Sequence, residues 1–138
     1  MADKVYVEVV KFAAKDLYDD KLKNRFVDLA TSTAEKAAAS AGFTTDKPKE
    51  KDAKGWSING SLTSVGPDKS GKKFVAKASA GVFTWPAKSL KAMPTGEAGF
   101  AVEPGEKVSP GDADQLEKTA TTEAMKAALG WMKGKKPE

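Results

Sequence analysis

From Gly55 to Trp85 the chain alternates side-chain character residue by residue, broken once by Gly66-Pro67-Asp68-Lys69-Ser70-Gly71-Lys72-Lys73 (GPDKSGKK). Trp56, Ile58, Gly60 and Leu62 fall on one side and Ser57, Asn59, Ser61 and Thr63 on the other. Beyond the break, Phe74, Ala76, Ala78, Ala80 and Val82 alternate with Val75, Lys77, Ser79 and Gly81. A period of two is the signature of a strand with two unlike faces. Two such runs around a glycine-, proline- and aspartate-containing turn predict a long antiparallel hairpin. Phe83 and Trp85 shift this pattern, which predicts a bulge near Gly81, and Pro86 ends the strand.

GPDKSGKK also meets most of the spacing of a phosphate-binding loop, with Gly66, Gly71 and Lys72 in register. Such a loop needs a serine or threonine after the lysine for magnesium and a helix whose amino end faces the phosphates. Here the hydroxyl position is Lys73 and the following residues alternate like a strand. The segment is therefore read as a basic hairpin tip, in which Lys69, Lys72 and Lys73 are candidate contacts for an anion.

The flanking segments supply helices. Lys4 to Phe12 reads as a first strand and Ala13 to Asp20 as a polar connection, with Asp19 or Asp20 as cap of the next helix. Leu22, Phe26, Leu29, Ala30, Thr33, Ala37 and Ala38 then recur at helical spacing until Gly42. Residues 44–54 are a charged, mobile loop, and 87–110 an irregular loop holding one short strand, Ala98 to Val102. Ser109-Pro110-Gly111-Asp112 predicts a helix start, with the serine as cap and proline in the first turn. Leu116, Ala120, Ala124, Ala127, Ala128 and Trp131 form the stripe of that helix, and 134–138 is a basic tail. The expectation is one α+β domain over 1–133, in β-α-β-β-(β)-α order, with a mostly antiparallel sheet and both helices on one face. Small residues at Ala30, Ala37, Ala38, Ala124, Ala127 and Ala128, facing Ala76, Ala78 and Ala80, suit close helix–sheet approach.

Composition narrows function. The 138 residues contain no cysteine and no histidine, so thiol nucleophiles, histidine-based triads and the usual zinc sites are absent. No catalytic, metal or cofactor site is expected. Asp16, Asp19 and Asp20 lack the spacing of a calcium loop and read better as charge at a helix amino end. Of 23 basic residues only Arg25 is an arginine, a pattern of solubility more than of phosphate reading. Asn59-Gly60-Ser61 matches a glycosylation sequon, but Gly60 reads better as a glycine on the crowded face of a strand. Leu90, Met93 and Phe100 put apolar side chains into a glycine-rich segment, and with Trp131 they are the candidate contacts for a protein partner.

VYVEVVKF, a helix, GWSINGSLTSV, a basic turn, FVAKASAGVFTW and a closing helix with TATTEAMKAAL occur in an order similar to that in periplasmic domains of curli-type secretion channels. It also resembles the lipoprotein activators of penicillin-binding proteins and the amino-terminal domain of the Tol propeller protein. That resemblance implies a non-enzymatic bacterial domain that binds protein; an assembly role and homo-oligomers are further expectations for the chain. The alternative is a cytosolic basic module that binds nucleic acid or another acidic polymer through 66–73 and the carboxy-terminal lysines. No window is apolar enough to insert in a membrane. A cytoplasmic location follows if Met1 is the native start, and a periplasmic one if a signal peptide has been removed.

Overall fold

The alternating segment forms the predicted hairpin. In this computed structural model, which describes residues 5–17, 20–49, 52–103, 108–133 and 135, β2 (Gly55–Pro67) and β3 (Lys73–Trp85) pair antiparallel from end to end. Gly71, in the left-handed region at φ 71°, makes the turn between them. β1 (Tyr6–Leu17) runs parallel to β2 along its other edge. A parallel neighbour demands a crossover, and α1 (Lys23–Ser40) supplies it. β4 (Leu90–Ala92) and β5 (Thr95–Ala101) lie one after the other along the far edge of β3, and α2 (Pro110–Met132) closes the fold.

Both helices cover the same face of the five-stranded sheet. α1 lies on β1, α2 lies on β3 and β5, and the helices touch each other. An ion pair between Arg25 and Asp114 joins the helices near their amino ends. Ala76, Ala78 and Ala80 are buried beneath Ala120, Ala124 and Ala128, so small residues do bring helix and sheet close. Gly96 is the extreme case: a Cβ there would lie 2.3 Å from the Ala120 carbonyl oxygen and 2.5 Å from the Ala124 nitrogen. Gly60 is likewise on the crowded face, where a Cβ would stand 2.2 Å from Cζ of Phe12. The α2 cap is as expected, with the Ser109 hydroxyl accepting from the Asp112 amide at 3.2 Å. Gly42, at φ 94°, ends α1, while the Phe43 amide bonds back to the Ala38 carbonyl at 3.1 Å.

Several boundaries differ from the sequence reading. β1 does not stop at Phe12: after a register shift between Val10 and Ala13 it stays paired with β2 as far as Leu17. Lys15 and Asp16 are tolerated in this extension because an edge strand needs only one paired side, and Ala13 and Lys15 are exposed there. The helix cap expected at Asp19 or Asp20 is not the one observed. Asp19 lies outside the described residues, Asp20 opens a 3-10 turn (Asp20–Leu22), and Leu22 holds the cap position without a side-chain bond. Val27 and Ala34 are buried more deeply than Leu29 and Thr33, and Ala127 is exposed, so each helix faces inward at a slightly different angle than its stripe suggested. The loop at 44–54 is anchored at its start, where Val7 donates to the Thr44 carbonyl at 2.8 Å and Thr44 to the Val5 carbonyl at 2.9 Å. The strand expected at 98–102 begins earlier, at Thr95, and β4 precedes it. Of the tail at 134–138, only Lys135 lies among the described residues.

β3 has no bulge at Gly81, which stays in register with Asn59. Thr84 continues the buried face, so Phe83 and Trp85 lie on the opposite face, which neither α1 nor α2 covers among the described residues. The irregularities sit instead in β2, between Leu62 and Ser64, and in the β3–β4 pairing.

Candidate functional site

The hairpin tip holds its own anion. One carboxylate oxygen of Asp68 accepts from the Ser70 amide at 3.1 Å and from the Ser70 hydroxyl at 2.7 Å, while the Gly71 amide bonds to the Asp68 carbonyl at 3.1 Å. The Ser70 hydroxyl bond, with backbone amides behind it, holds the Asp68 carboxyl below the usual carboxylate range. The Lys72 amide bonds to the Ser70 hydroxyl at 3.1 Å, so three successive amides that could cradle a phosphate, Ser70 to Lys72, are engaged from within the loop. Lys69, Lys72 and Lys73 stay exposed around it. Lys69 and Lys73, with Lys77, Val75 and Glu97, border a shallow depression on the open side of the sheet.

That open face is polar at its centre and apolar at one end. Ser57, Asn59 and Ser61 of β2 run beside Ser79 of β3, and the Ser61 and Ser79 hydroxyls are 3.0 Å apart. Glu8 of β1 takes hydrogen bonds from Lys88, from the Ser57 hydroxyl at 3.0 Å and from Trp85. Burial pushes the Glu8 carboxyl up, but these bonds and the Lys88 charge outweigh it and hold the group below its ordinary range. Lys88 reaches this position from a left-handed backbone conformation, φ 63°, directly after β3. Beside this network Tyr6 packs edge-on against Trp85, ring centroids 4.8 Å apart. Further out are Phe83, its partner Leu90, and Met93, whose Cε lies 3.2 Å from the place a Gly81 Cβ would take. Leu90 and Met93 are 54% and 52% exposed, the two large apolar side chains left uncovered among the described residues.

The four candidate partner contacts are not gathered into one patch. Leu90 and Met93 share the apolar end of the open face. Phe100 stacks on Phe74 at 5.8 Å near the other end of the sheet and faces α2. Trp131 packs edge-on against Trp56 at 5.6 Å on the helix side, under the Lys135 ammonium at 4.5 Å. Of the aspartates considered for a cation, Asp19 and the side chains of Asp16 and Asp20 lie outside what the structure describes. Among the described residues no cluster of acidic side chains has the arrangement of a metal site.

Two features escaped the sequence reading. The Glu8–Lys88 pair joins residues eighty positions apart, and no local signal announces it. Glu117 had a visible signal, a carboxyl inside the apolar stripe of α2. It is fully buried, takes the Thr121 hydroxyl on Oε1 at 2.8 Å, and has no partner for Oε2 among the described residues. Burial is the main cause that pushes its carboxyl up to about 7. The Asp114 charge adds to the rise, and Thr121 and Lys118 oppose it. A carboxyl with this acidity suits proton transfer, but Glu117 is sealed from solvent and no substrate reaches it.

No protein-family model matches the chain, and no curated protein does. Solved bacterial structures match its fold. They include the PelC dodecamer from Paraburkholderia phytofirmans, at 11% identity and TM-score 0.54 over 91% of this chain and 89% of that one. A DUF330 protein from Xanthomonas campestris aligns at 12% identity and TM-score 0.57, over 94% and 84% of the two chains. A hypothetical protein from Chlamydia trachomatis aligns at 9% identity and TM-score 0.61, over 95% and 99%. Identities this low establish a shared α+β fold. The sequence resemblance to bacterial domains thus holds for the fold, while these three structures come from other families than those named above.

Proposed function

We propose that this chain is a non-enzymatic, protein-binding assembly domain of bacterial type, and that it associates through the apolar end of its open sheet face. The observation that carries this reading is Leu90 and Met93 standing more than half exposed beside Phe83. Exposed apolar side chains clustered at one end of an otherwise polar face suit burial against another protein. A second copy of the chain is the occupant we favour, because a protein of the same fold, PelC, is described as a dodecamer. The rival basic module has less support, because the Ser70, Gly71 and Lys72 amides of the hairpin tip are already bonded within the turn.

Sedimentation velocity over a range of concentrations, at low and high salt, tests the reading. Association is expected to persist in high salt and to vanish in the double variant Leu90→Ser, Met93→Ser. A chain that stays monomeric and retains no protein from lysate at any salt sinks it. Recovery of nucleic acid that washes off with salt favours the basic module, since phosphate contacts weaken steeply as salt rises.

A further inference from the structure

A second surface lies along the outer edge of β5. In its pairing with β3, the Ala80 amide donates to the Pro94 carbonyl and the Val102 amide to the Lys72 carbonyl, both in the register that pairs Ala76 with Ala98. Alternation along an antiparallel ladder then turns the backbone groups of Gly96, Ala98 and Phe100 toward β3 and those of Thr95, Glu97, Gly99 and Ala101 outward. All four outward residues are exposed, and among the described residues no other strand pairs with β5. Lysines or bulges usually protect such an edge. β5 contains no lysine and has two glycines.

The two sides of this edge differ in chemistry. On the helix side α2 sits hard on Gly96 but leaves a groove further along, floored by Ala98 and Phe100 and walled by Leu116, with Asp112, Gln115 and Thr119 on its rim. An apolar side chain fits there. On the open side Lys73 and Lys77 of β3 stand next to Ala101 and Glu97 of β5, and Gly99 and Ala101 carry too little side chain to screen them. Neither lysine has an ion pair among the described residues: Glu97 stands opposite Lys77, and Asp68, which borders the same depression, is bonded within its own turn. A strand added to β5 would run about 9–10 Å from β3, within reach of a lysine leaning across Gly99.

We propose that the edge of β5 is a strand-addition site for an extended peptide whose side chains alternate between apolar and acidic. The apolar ones seat in the groove against α2, and the acidic ones face Lys73 and Lys77. Backbone bonds to Glu97 and Gly99 supply affinity and the two unlike sides supply selection, as in other peptides bound by strand addition. This surface is separate from Leu90 and Met93, so it stands or falls independently of the self-association proposed above.

The test is fluorescence anisotropy with a labelled octapeptide of alternating valine and glutamate, read against a valine–lysine octapeptide and against the first peptide N-methylated at every second amide. The first peptide is expected to bind saturably, and both controls to bind at least about tenfold more weakly. Glu97→Pro removes an outward amide without touching the β3 ladder, and Gln115→Trp fills the groove from its rim. Each is expected to weaken binding by about the same factor, with the melting temperature unchanged. If Glu97→Pro lowers the melting temperature, Lys73→Glu and the N-methylated peptide decide instead. The Leu90→Ser, Met93→Ser chain is expected to bind the peptide as the parent does. No binding to the folded parent overturns the proposal, as does binding indifferent to Glu97→Pro and N-methylation. A dimer that Glu97→Pro abolishes also overturns it, since the occupant would then be a second copy.

Discussion

Replacing Glu117 by glutamine should flatten the pH dependence of stability between pH 5 and 8. The carboxyl is pushed up to about 7 in the folded chain, from 4.5 for the free side chain. A raised acid favours the protonated folded state. Its contribution is fully present below pH 4.5, falls as pH rises toward 7, and is replaced by the full burden of a buried charge above that. A rise of about 2.5 pH units at about 1.36 kcal/mol per unit corresponds to about 3 kcal/mol lost across this window. The surroundings explain why the Thr121 bond and the Lys118 charge do not offset it. Arg25 is committed to Asp114, the Asp114 charge repels, Lys118 gives only a weak opposing pull, and Oε2 has no partner among the described residues.

The composition makes the test clean. With no histidine and no cysteine, no other side-chain type ordinarily titrates between pH 5 and 8. Glu8 and Asp68, whose folded values are lowered, act below their ordinary range, and Tyr6, raised by burial and by the Glu8 charge, acts above 10. Urea unfolding followed by tryptophan fluorescence, at half-unit steps of pH, should show the parent's midpoint falling toward pH 8. The Glu117→Gln midpoint should stay level, and at pH 8 the variant should be the more stable by up to about 3 kcal/mol. Glutamine keeps the volume and an acceptor for Thr121, so a cavity does not confuse the comparison. A parent midpoint independent of pH, or an equal slope in the variant, would refute the reasoning.

Gly96→Ala should cost about 1–3 kcal/mol by urea unfolding, because the new methyl meets the rigid backbone of α2. Lys88→Ala should cost no more than about 1 kcal/mol, since the pair it forms with Glu8 is partly exposed and screened. Its loss should also expose Trp85, seen as a red shift in emission. Asp68→Ala should leave the fold intact but speed hydrogen exchange at the Ser70 amide, whose acceptor it removes. Leu90→Ser with Met93→Ser should leave the melting temperature unchanged and abolish association, as both side chains are largely in solvent already.

Elements that depend on neighbouring residues were legible in the sequence. Turn chemistry at Gly66 to Gly71, the Ser109 cap and the stop at Gly42 act within a few positions, and each appears where the residues put it. Elements that depend on pairing were not. Residues 13–17 and 90–97 have little strand character of their own, and they are strands because β2 and β3 present them with ladders. Phe83 and Trp85 show a subtler failure. Their size suggested a core position and hence a bulge, but strict parity with Gly81 and Ser79 puts them on the open face, and parity prevailed. Of the candidate site, Leu90 and Met93 were visible as apolar residues in a glycine-rich stretch. The β5 edge was not, because an unpaired row of backbone groups leaves no mark on side-chain identity.

Helices confined to one face oblige the chain to manage the other. Over most of that face it does so with small hydroxyl and amide side chains: Ser61 and Ser79 bond each other, Ser57 bonds Glu8, and Asn59 is exposed. At the aromatic end it adds a polar brace: Glu8 draws Lys88 and Trp85 together beside Tyr6. The brace stops short of Phe83, Leu90 and Met93. A sheet selected only for solubility would carry the polar pattern through to its end, since exposed apolar area there adds nothing to the fold. Gly81 matters here, because Phe83 Cε1 and Met93 Cε both close over the place its Cβ would take, at 3.0 and 3.2 Å. Filling that gap with Gly81→Thr would separate the two side chains while leaving both present. It should weaken association nearly as much as removing them, and unchanged association in a folded Gly81→Thr chain would show that the patch is not the contact.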